Sequence, residues 1–425
     1  MMEDWTEIRP LHHLDARVTL PGSKSYTQRA LLIAALAEGT SRLRNPLLSE
    51  DTGLMIDALR ALGAGIALED GNLIVAGTAG KIACPEGEIR LGNNGTALRF
   101  LTAAVCLGRG VFTLTGDSRL CERPIRPLLN ALAALGVDAR SRGGDGRPPV
   151  RVDADGLRGG RVVLRDIESS QYVSALLIAA PCASGDTRLE IGGRIPSLPY
   201  VAMTIEAMAA FGQDVARPGA RTFLVRGNGG YRGREYRIEG DASSASYFFL
   251  AAALTGGRVR VDNVRPRTLQ GDIGLLALLE GLGCRVRRGG DWVEVEGGRL
   301  ASGDVALGLG DMPDMVPTVA VLAALRPGRT IIKDAAHLRV KESNRLAALA
   351  AELVRIGIAA RETEDGLVID GDTPHGAVIE TYNDHRIAMS FAVLGLAVPG
   401  IRITNGACVG KSFPGFWQAL EGLYA

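Results

Sequence analysis

Aromatic side chains are scarce in this 425-residue chain, at 5%, and histidine is scarcer still, with five copies. The first shortage leaves the core to aliphatic residues, for which an apolar share of 46% is ample. The second matters because the six cysteines (Cys84, Cys106, Cys121, Cys182, Cys284 and Cys408) are scattered, with no Cys-x-x-Cys pair. Together these exclude the usual zinc patterns and lead us to expect reduced thiols in a cytoplasmic protein. Charge excess is missing too: 48 Lys and Arg against 47 Asp and Glu give a net charge of +1. That balance argues against a nucleic-acid or membrane partner, so any basic site must be local. No segment has the ~20 consecutive apolar residues of a membrane span, and the leading MMEDWTEIRP lacks an apolar signal core. No Walker lysine, dinucleotide fingerprint or Ser-His-Asp order is present either.

What the chain does have is repetition, and 55 glycines to punctuate it. Six segments begin with a small polar cluster, run into an almost wholly apolar helix, and continue through a Gly or Pro turn into a β-rich stretch. They start at Ser25, Asn94, Ser169, Asp241, Asp314 and Asp384, on the order of 70 residues apart. In five of them an amphipathic helix follows and ends at glycine, as in DTGLMIDALRALGAG, which fits a left-handed C-cap. The sixth keeps the shortened FWQALEGLYA. Helices apolar all round belong in a core, whereas one-faced helices cover a sheet. The length is too great for one ordinary core. An α/β chain of two pseudo-symmetric domains, three units each, is therefore expected.

The starts of the apolar helices carry the chemistry. Free N–H groups and the positive dipole end lie there, and several such ends together make an anion trap. Capping alone would explain one such cluster, but cations stand beside most of them. Lys24, Ser25 and Arg29 occupy PGSKSYTQRA; Asn93, Gly95 and Arg99 occupy LGNNGTALR; Arg123 lies in CERPIRP. Ser169, Ser170 and Gln171 offer hydroxyl and amide donors in ESSQY. His337, Arg339, Lys341, Glu342 and Arg345 share HLRVKESNRL, a run that also reads as solvated and self-paired. Asp384, His385 and Arg386 precede the last apolar helix, and Lys411 follows in GKSFPGF. Cations outnumber carboxylates in this set, which suggests a small polyanionic substrate. Asp314 and Glu342 are the candidates for proton transfer.

Taken together, PGSKS, LGNNGTALR, ERPI, SSQ, GDASSASYF, RVKESNRL, YNDHR and KSFPGF resemble, in order, the motifs of the enolpyruvylshikimate-phosphate synthases within the enolpyruvyl transferases. The resemblance implies two inverse α/β domains, each of three βαβαββ units. One would take residues 1–20 and 241–425, the other 21–240, with the active site in the interdomain cleft. It implies transfer of enolpyruvyl from phosphoenolpyruvate to the 5-hydroxyl of shikimate-3-phosphate, with no metal or organic cofactor, by a cytoplasmic monomer whose only partners are these small molecules.

Residue by residue, it assigns Lys24, Ser25, Arg29, Ser169, Ser170, Gln171, Ser197, Tyr200, Asp314, His337 and Lys341 to shikimate-3-phosphate. It assigns Lys24, Asn93, Gly95, Arg123, Gln171, Arg345, Arg386 and Lys411 to phosphoenolpyruvate. Asp314, Glu342 and Lys24 are the implied catalytic residues. Asn94 and Phe100 depart from the common pattern beside the stretch that glyphosate contacts in this family. The alternative acceptor is UDP-N-acetylglucosamine, used by the sister enzyme, which usually carries a loop cysteine. Cys121 lies near Arg123, but at a different spacing.

Overall fold

A computed structural model describes residues 5–424. The chain divides into two compact units, Met1–Pro21 with Glu239–Ala425, and Gly22–Ile238. Each has its own apolar core.

In the unit Gly22–Ile238 the core is built on the helices Lys24–Leu36, Gly95–Ala104 and Gln171–Ala179. In the other it is built on Ala242–Thr255, Val316–Leu325 and His385–Leu394. These are the six apolar helices of the repeats, and the absence of a polar face is why they lie inside. From Tyr26 to Leu36 every residue of the first is buried, as are all ten of the last. Each leucine so placed contributes roughly 1.5–3 kcal/mol through the area it removes from water.

Around the cores lie five four-stranded sheets of one topology. In each, an edge strand runs parallel to its neighbour and two antiparallel pairings follow. The strand Glu88–Arg90 pairs in parallel with Arg109–Thr115, which pairs antiparallel with Val150–Asp155, and that pairs with Asp138–Ser141. With the helices Gly95–Ala104 and Arg126–Ala134 between them, this is a βαβαββ unit. The sheet of the sixth unit has three strands, in keeping with its shortened sequence, and Ala37–Glu38 pairs in parallel with Tyr231–Arg232 in a further two-stranded sheet.

Three units take a strand from far along the chain, one of them by the antiparallel pairing of Trp5–Glu7 with Arg402–Thr404. Glu235–Arg237 supplies the parallel edge for Thr40–Arg44, and Asp15–Thr19 does so for Arg258–Asp262. Among the described residues no helix is long and apolar enough to cross a membrane, and all six cysteines are free thiols.

Glycines end five of the amphipathic helices as expected. Gly63, Gly136, Gly212, Gly283 and Gly357 all have φ between 81° and 105°. The sixth differs: Gly422 sits at φ −62° and leads from Phe416–Glu421 into a 3-10 turn. Among the described residues no strand follows it, so no left-handed turn is called for there.

Candidate functional site

Most of the residues singled out above fall into two groups, one on each unit. In the unit Gly22–Ile238, Ser23 caps the first buried helix by accepting from the Tyr26 N–H, so Lys24 and Ser25 lie in its first turn. The Lys24 ammonium donates to Asp51 at 3.2 Å. Asn94 caps the second buried helix through Ala97 N–H at 2.9 Å and donates to the Asp51 carbonyl at 2.7 Å. These contacts tie the two helix starts together, and the departure from the family pattern at Asn94 thus carries a bond of its own.

Arg99 donates to the carbonyls of Gly95 (2.9 Å) and Pro124 (2.7 Å), and Arg123 to Asn93 at 3.5 Å. Gln171 opens the third buried helix and donates to Thr96 at 3.0 Å, while its own N–H goes to Ser169 at 3.2 Å. Ser170 is buried beside it. Ser197 is a buried non-glycine residue in the left-handed region, φ 56°, just before the helix Leu198–Ala210 that carries Tyr200. Strained backbone of this kind persists where the surroundings fix it, often at binding sites.

Arg29 is the unusual member. It is 1% exposed, and its hydrogen bonds go to the Ser25 and Tyr200 carbonyls and to the Thr204 and Ser174 hydroxyls, none of them a carboxylate. The rings of Phe100 and Tyr200 face it at 5.3 and 5.9 Å. Burial pulls its pKa down to about 10. A guanidinium buried among neutral groups favours the approach of an anion.

The other unit holds the converse arrangement. Arg345, 1% exposed, opens the helix Arg345–Arg355 and meets three carboxylates: Asp384 at 2.8 Å, Asp314 at 2.9 Å and Glu342 at 2.9 Å. Asp384 caps the last buried helix and also accepts from Ser343 at 3.0 Å. Arg386 donates to the second oxygen of Asp314 at 2.7 Å and to the Tyr247 hydroxyl at 3.4 Å.

Burial alone would raise the pKa of Asp314, but the charges of Arg386, Arg345 and Lys341 outweigh it. They hold its carboxyl well below the usual range. Arg345 is raised, since Asp384, Glu342 and Asp314 outweigh its own desolvation. Lys341 and Glu342 are half-buried in the loop leading to Arg345, and Lys411 is buried at the end of Gly406–Lys411. His337 is half-buried in the turn Ala336–Val340.

The expected excess of cations is corrected on this unit. Asp314, Glu342, Asp384 and the buried Asp272 lie with Lys341, Arg345 and Arg386: Glu342 and Asp384 are close sequence neighbours of the arginines, while Asp314 and Asp272 fold in from further away. Arg339 also turns away, bonding to Glu362 and to the carbonyls of Thr363 and Glu364.

Asp51, Asp272 and Tyr247 escaped the sequence reading. Asp51 sits in SEDTG, which reads as an acidic helix start, and Asp272 in QGD, which reads as a turn. Neither motif signals its partner. Cys121 is half-buried, with its thiol 3.7 Å from the Thr115 hydroxyl and 3.8 Å from the Gly116 carbonyl.

Residues 8–420 match the family described as EPSP synthase (3-phosphoshikimate 1-carboxyvinyltransferase). The chain is 44% identical over 421 residues to the 3-phosphoshikimate 1-carboxyvinyltransferase of Syntrophobacter fumaroxidans, covering 98% of this chain and 99% of that one. It is 45% identical over 410 residues to the enzyme of that name from Methanosphaerula palustris, 96% of each. A solved EPSP synthase from Acinetobacter baumannii superposes with a TM-score of 0.82 at 28% identity, covering 99% of this chain and 98% of that chain. With its repeats, its paired clusters and these likenesses extending over nearly its whole length, the chain belongs to the EPSP synthase (3-phosphoshikimate 1-carboxyvinyltransferase) family.

Proposed function

We propose that this chain transfers the enolpyruvyl group of phosphoenolpyruvate to the 5-hydroxyl of shikimate-3-phosphate and releases phosphate. The observation that carries the reading is the Asp314 carboxylate held between two buried guanidiniums, with Glu342 on one of them. Such a group is a weak base while both cations hold it. An arriving anionic substrate competes for Arg345 and Arg386. As they transfer to it, Asp314 regains basicity at the moment a hydroxyl needs deprotonating.

In this reading Asp314 takes the proton from the ring hydroxyl, whose oxygen bonds to C2 of phosphoenolpyruvate, while Glu342 delivers a proton to the C3 methylene. The tetrahedral intermediate then loses a C3 proton and its C2–phosphate bond breaks. Lys24 and the arginines stabilise the charge on the departing phosphate. Ser25, Arg29, Ser169, Ser170, Gln171, Ser197, Tyr200, His337 and Lys341 hold shikimate-3-phosphate, with the anion-seeking Arg29 facing its carboxylate. Asn93, Gly95, Arg123, Gln171, Arg345, Arg386 and Lys411 hold phosphoenolpyruvate. Both clusters serve one reaction, performed by a monomer in the cytoplasm.

The test is phosphate release from phosphoenolpyruvate with each acceptor. Shikimate-3-phosphate should support it and UDP-N-acetylglucosamine should not, and Cys121→Ser should leave it intact. Release with the sugar nucleotide alone would overturn the reading. Glu342→Gln and Asp314→Asn should each lower turnover by roughly 10²–10⁴ without unfolding the protein. Near-normal turnover in either would remove that residue from the mechanism.

A further inference from the structure

The segment that delivers Asp384 and Arg386 to their cluster has an unusual backbone. Tyr382 and Asn383 are consecutive non-glycine residues in the left-handed region, at φ 54° and 53°. Side chains rarely adopt this conformation, and two in a row need outside support.

One helix, Arg345–Arg355, supports it at two points. At its start Arg345 holds Asp384. Seven residues on, about 10 Å along the axis and on the same face, Glu352 is wholly buried and accepts from both ends of the turn. Its Oε2 takes the Glu380 N–H at 3.1 Å, and its Oε1 takes the Tyr382 hydroxyl at 2.9 Å. Arg355 lies on the same carboxylate at 2.8 Å and supplies the countercharge that its burial requires. Asn405, itself left-handed at φ 44°, donates to Asn383 at 3.1 Å from the other side.

We propose that Glu352 is a positioning residue for the reaction: by gripping Glu380 and Tyr382 it holds the left-handed turn that sets the direction of Arg386. This rests on the reading that Arg386 binds phosphoenolpyruvate. Glu352 touches no substrate. Its loss lets the turn relax, so that Arg386 leaves its bonds to Asp314 and Tyr247 and meets phosphoenolpyruvate out of place.

The test compares Glu352→Leu, Glu352→Gln, Tyr382→Phe and Arg386→Ala in the full chain. Small misplacements of a binding group weaken it steeply, so Glu352→Leu should raise the phosphoenolpyruvate KM by about tenfold or more. KM for shikimate-3-phosphate should change by less than about threefold, and kcat should fall, since Arg386 also holds Asp314 and stabilises the departing phosphate. Gln keeps an acceptor for the Glu380 N–H and a partner for the Tyr382 hydroxyl, so it should restore most of the affinity. Tyr382→Phe removes one hydroxyl at a partly exposed position and should give a smaller rise of the same kind. Amide exchange at Glu380 should quicken in the Leu variant.

A folded Glu352→Leu protein with an unchanged phosphoenolpyruvate KM, beside an Arg386→Ala protein whose KM rises, overturns the proposal and leaves the reading of Arg386 standing. Equal rises in both KM values also overturn it, since they report general loosening. If Arg386→Ala leaves the KM unchanged, the reading of Arg386 fails. Exchange across Glu380–Arg386 then decides the positioning by itself: faster in the Leu variant supports it, unchanged sinks it.

Discussion

At the scale of single residues, Gly95 marks how tightly the first cluster is packed. A Cβ there would lie 2.4 Å from the Arg99 Nη1 and 2.6 Å from the Arg123 Cζ. Gly95→Ala must displace buried guanidinium groups, and we expect phosphoenolpyruvate KM to rise about tenfold with the fold kept; unchanged kinetics would show that Arg123 has room to move. Asp272 makes a prediction of another kind. Burial first, then the Asp314 charge, push its pKa up to about 7 against the pull of Arg386 and the Ser243 hydroxyl, with Asp241 adding to the rise. The unfolded carboxyl sheds its proton in the ordinary range, whereas the folded one keeps it. Folding therefore takes up a proton between those values, and the stability this contributes is present in acid and lost as pH rises towards and through 7. Asp272→Asn cannot lose it, so the Tm of the variant relative to the parent should climb between pH 5 and pH 8. A constant difference would contradict the assignment. Asp272 also shows what a sequence conceals: Lys24, Arg29 and Arg386 stand out as charges heading into apolar helices, whereas an acid in a turn carries no mark of the partners that folding brings to it.

At the scale of elements, the helices were legible because a helix without a polar face has only one place to go, and the turns because glycine does at positive φ what other residues do at a cost. That cost can be read directly. Gly136 has φ 81° and Gly422 has φ −62°, and a Cβ added at either would meet no atom within 4 Å. Sterics being equal, Gly136→Ala should destabilise by about 1 kcal/mol, while Gly422→Ala should be neutral or stabilise by about 0.5–1 kcal/mol. Denaturant midpoints would check the contrast, and equal losses at both would refute it. Strand pairing was the least legible feature. Nothing in REYRIEG or DARVTL reveals that each completes a sheet begun elsewhere, because a parallel edge partner is chosen by topology and not by its neighbours in sequence.

For the whole molecule, the charge balance of the Asp314 cluster predicts how the two ligands influence one another. In the proposed mechanism the ring hydroxyl of shikimate-3-phosphate approaches Asp314, and phosphoenolpyruvate draws away the guanidiniums that hold it. Each ligand thus eases what the other must do, and Lys24 is assigned to both. Titration calorimetry with a non-reacting phosphoenolpyruvate analogue should show tighter binding when shikimate-3-phosphate is saturating, by a factor of roughly 5–150, with the same factor in reverse. Equal affinity with and without the partner ligand would mean that the two sites are energetically independent.

The interrupted unit has a further consequence, one of timing. The strand Asp15–Thr19 leaves the ribosome early, yet its partner Arg258 lies 243 residues downstream. At a synthesis rate of about 5–20 residues per second, it waits some 12–50 s for that partner. Trp5–Glu7 waits longer still, for Arg402–Thr404. Gly22–Ile238 needs nothing made later, since its last edge strand, Glu235–Arg237, closes on a sheet already present. The nascent chain therefore carries a finished body on an unpaired leader, and the earliest of the described strands is among the last to find its sheet.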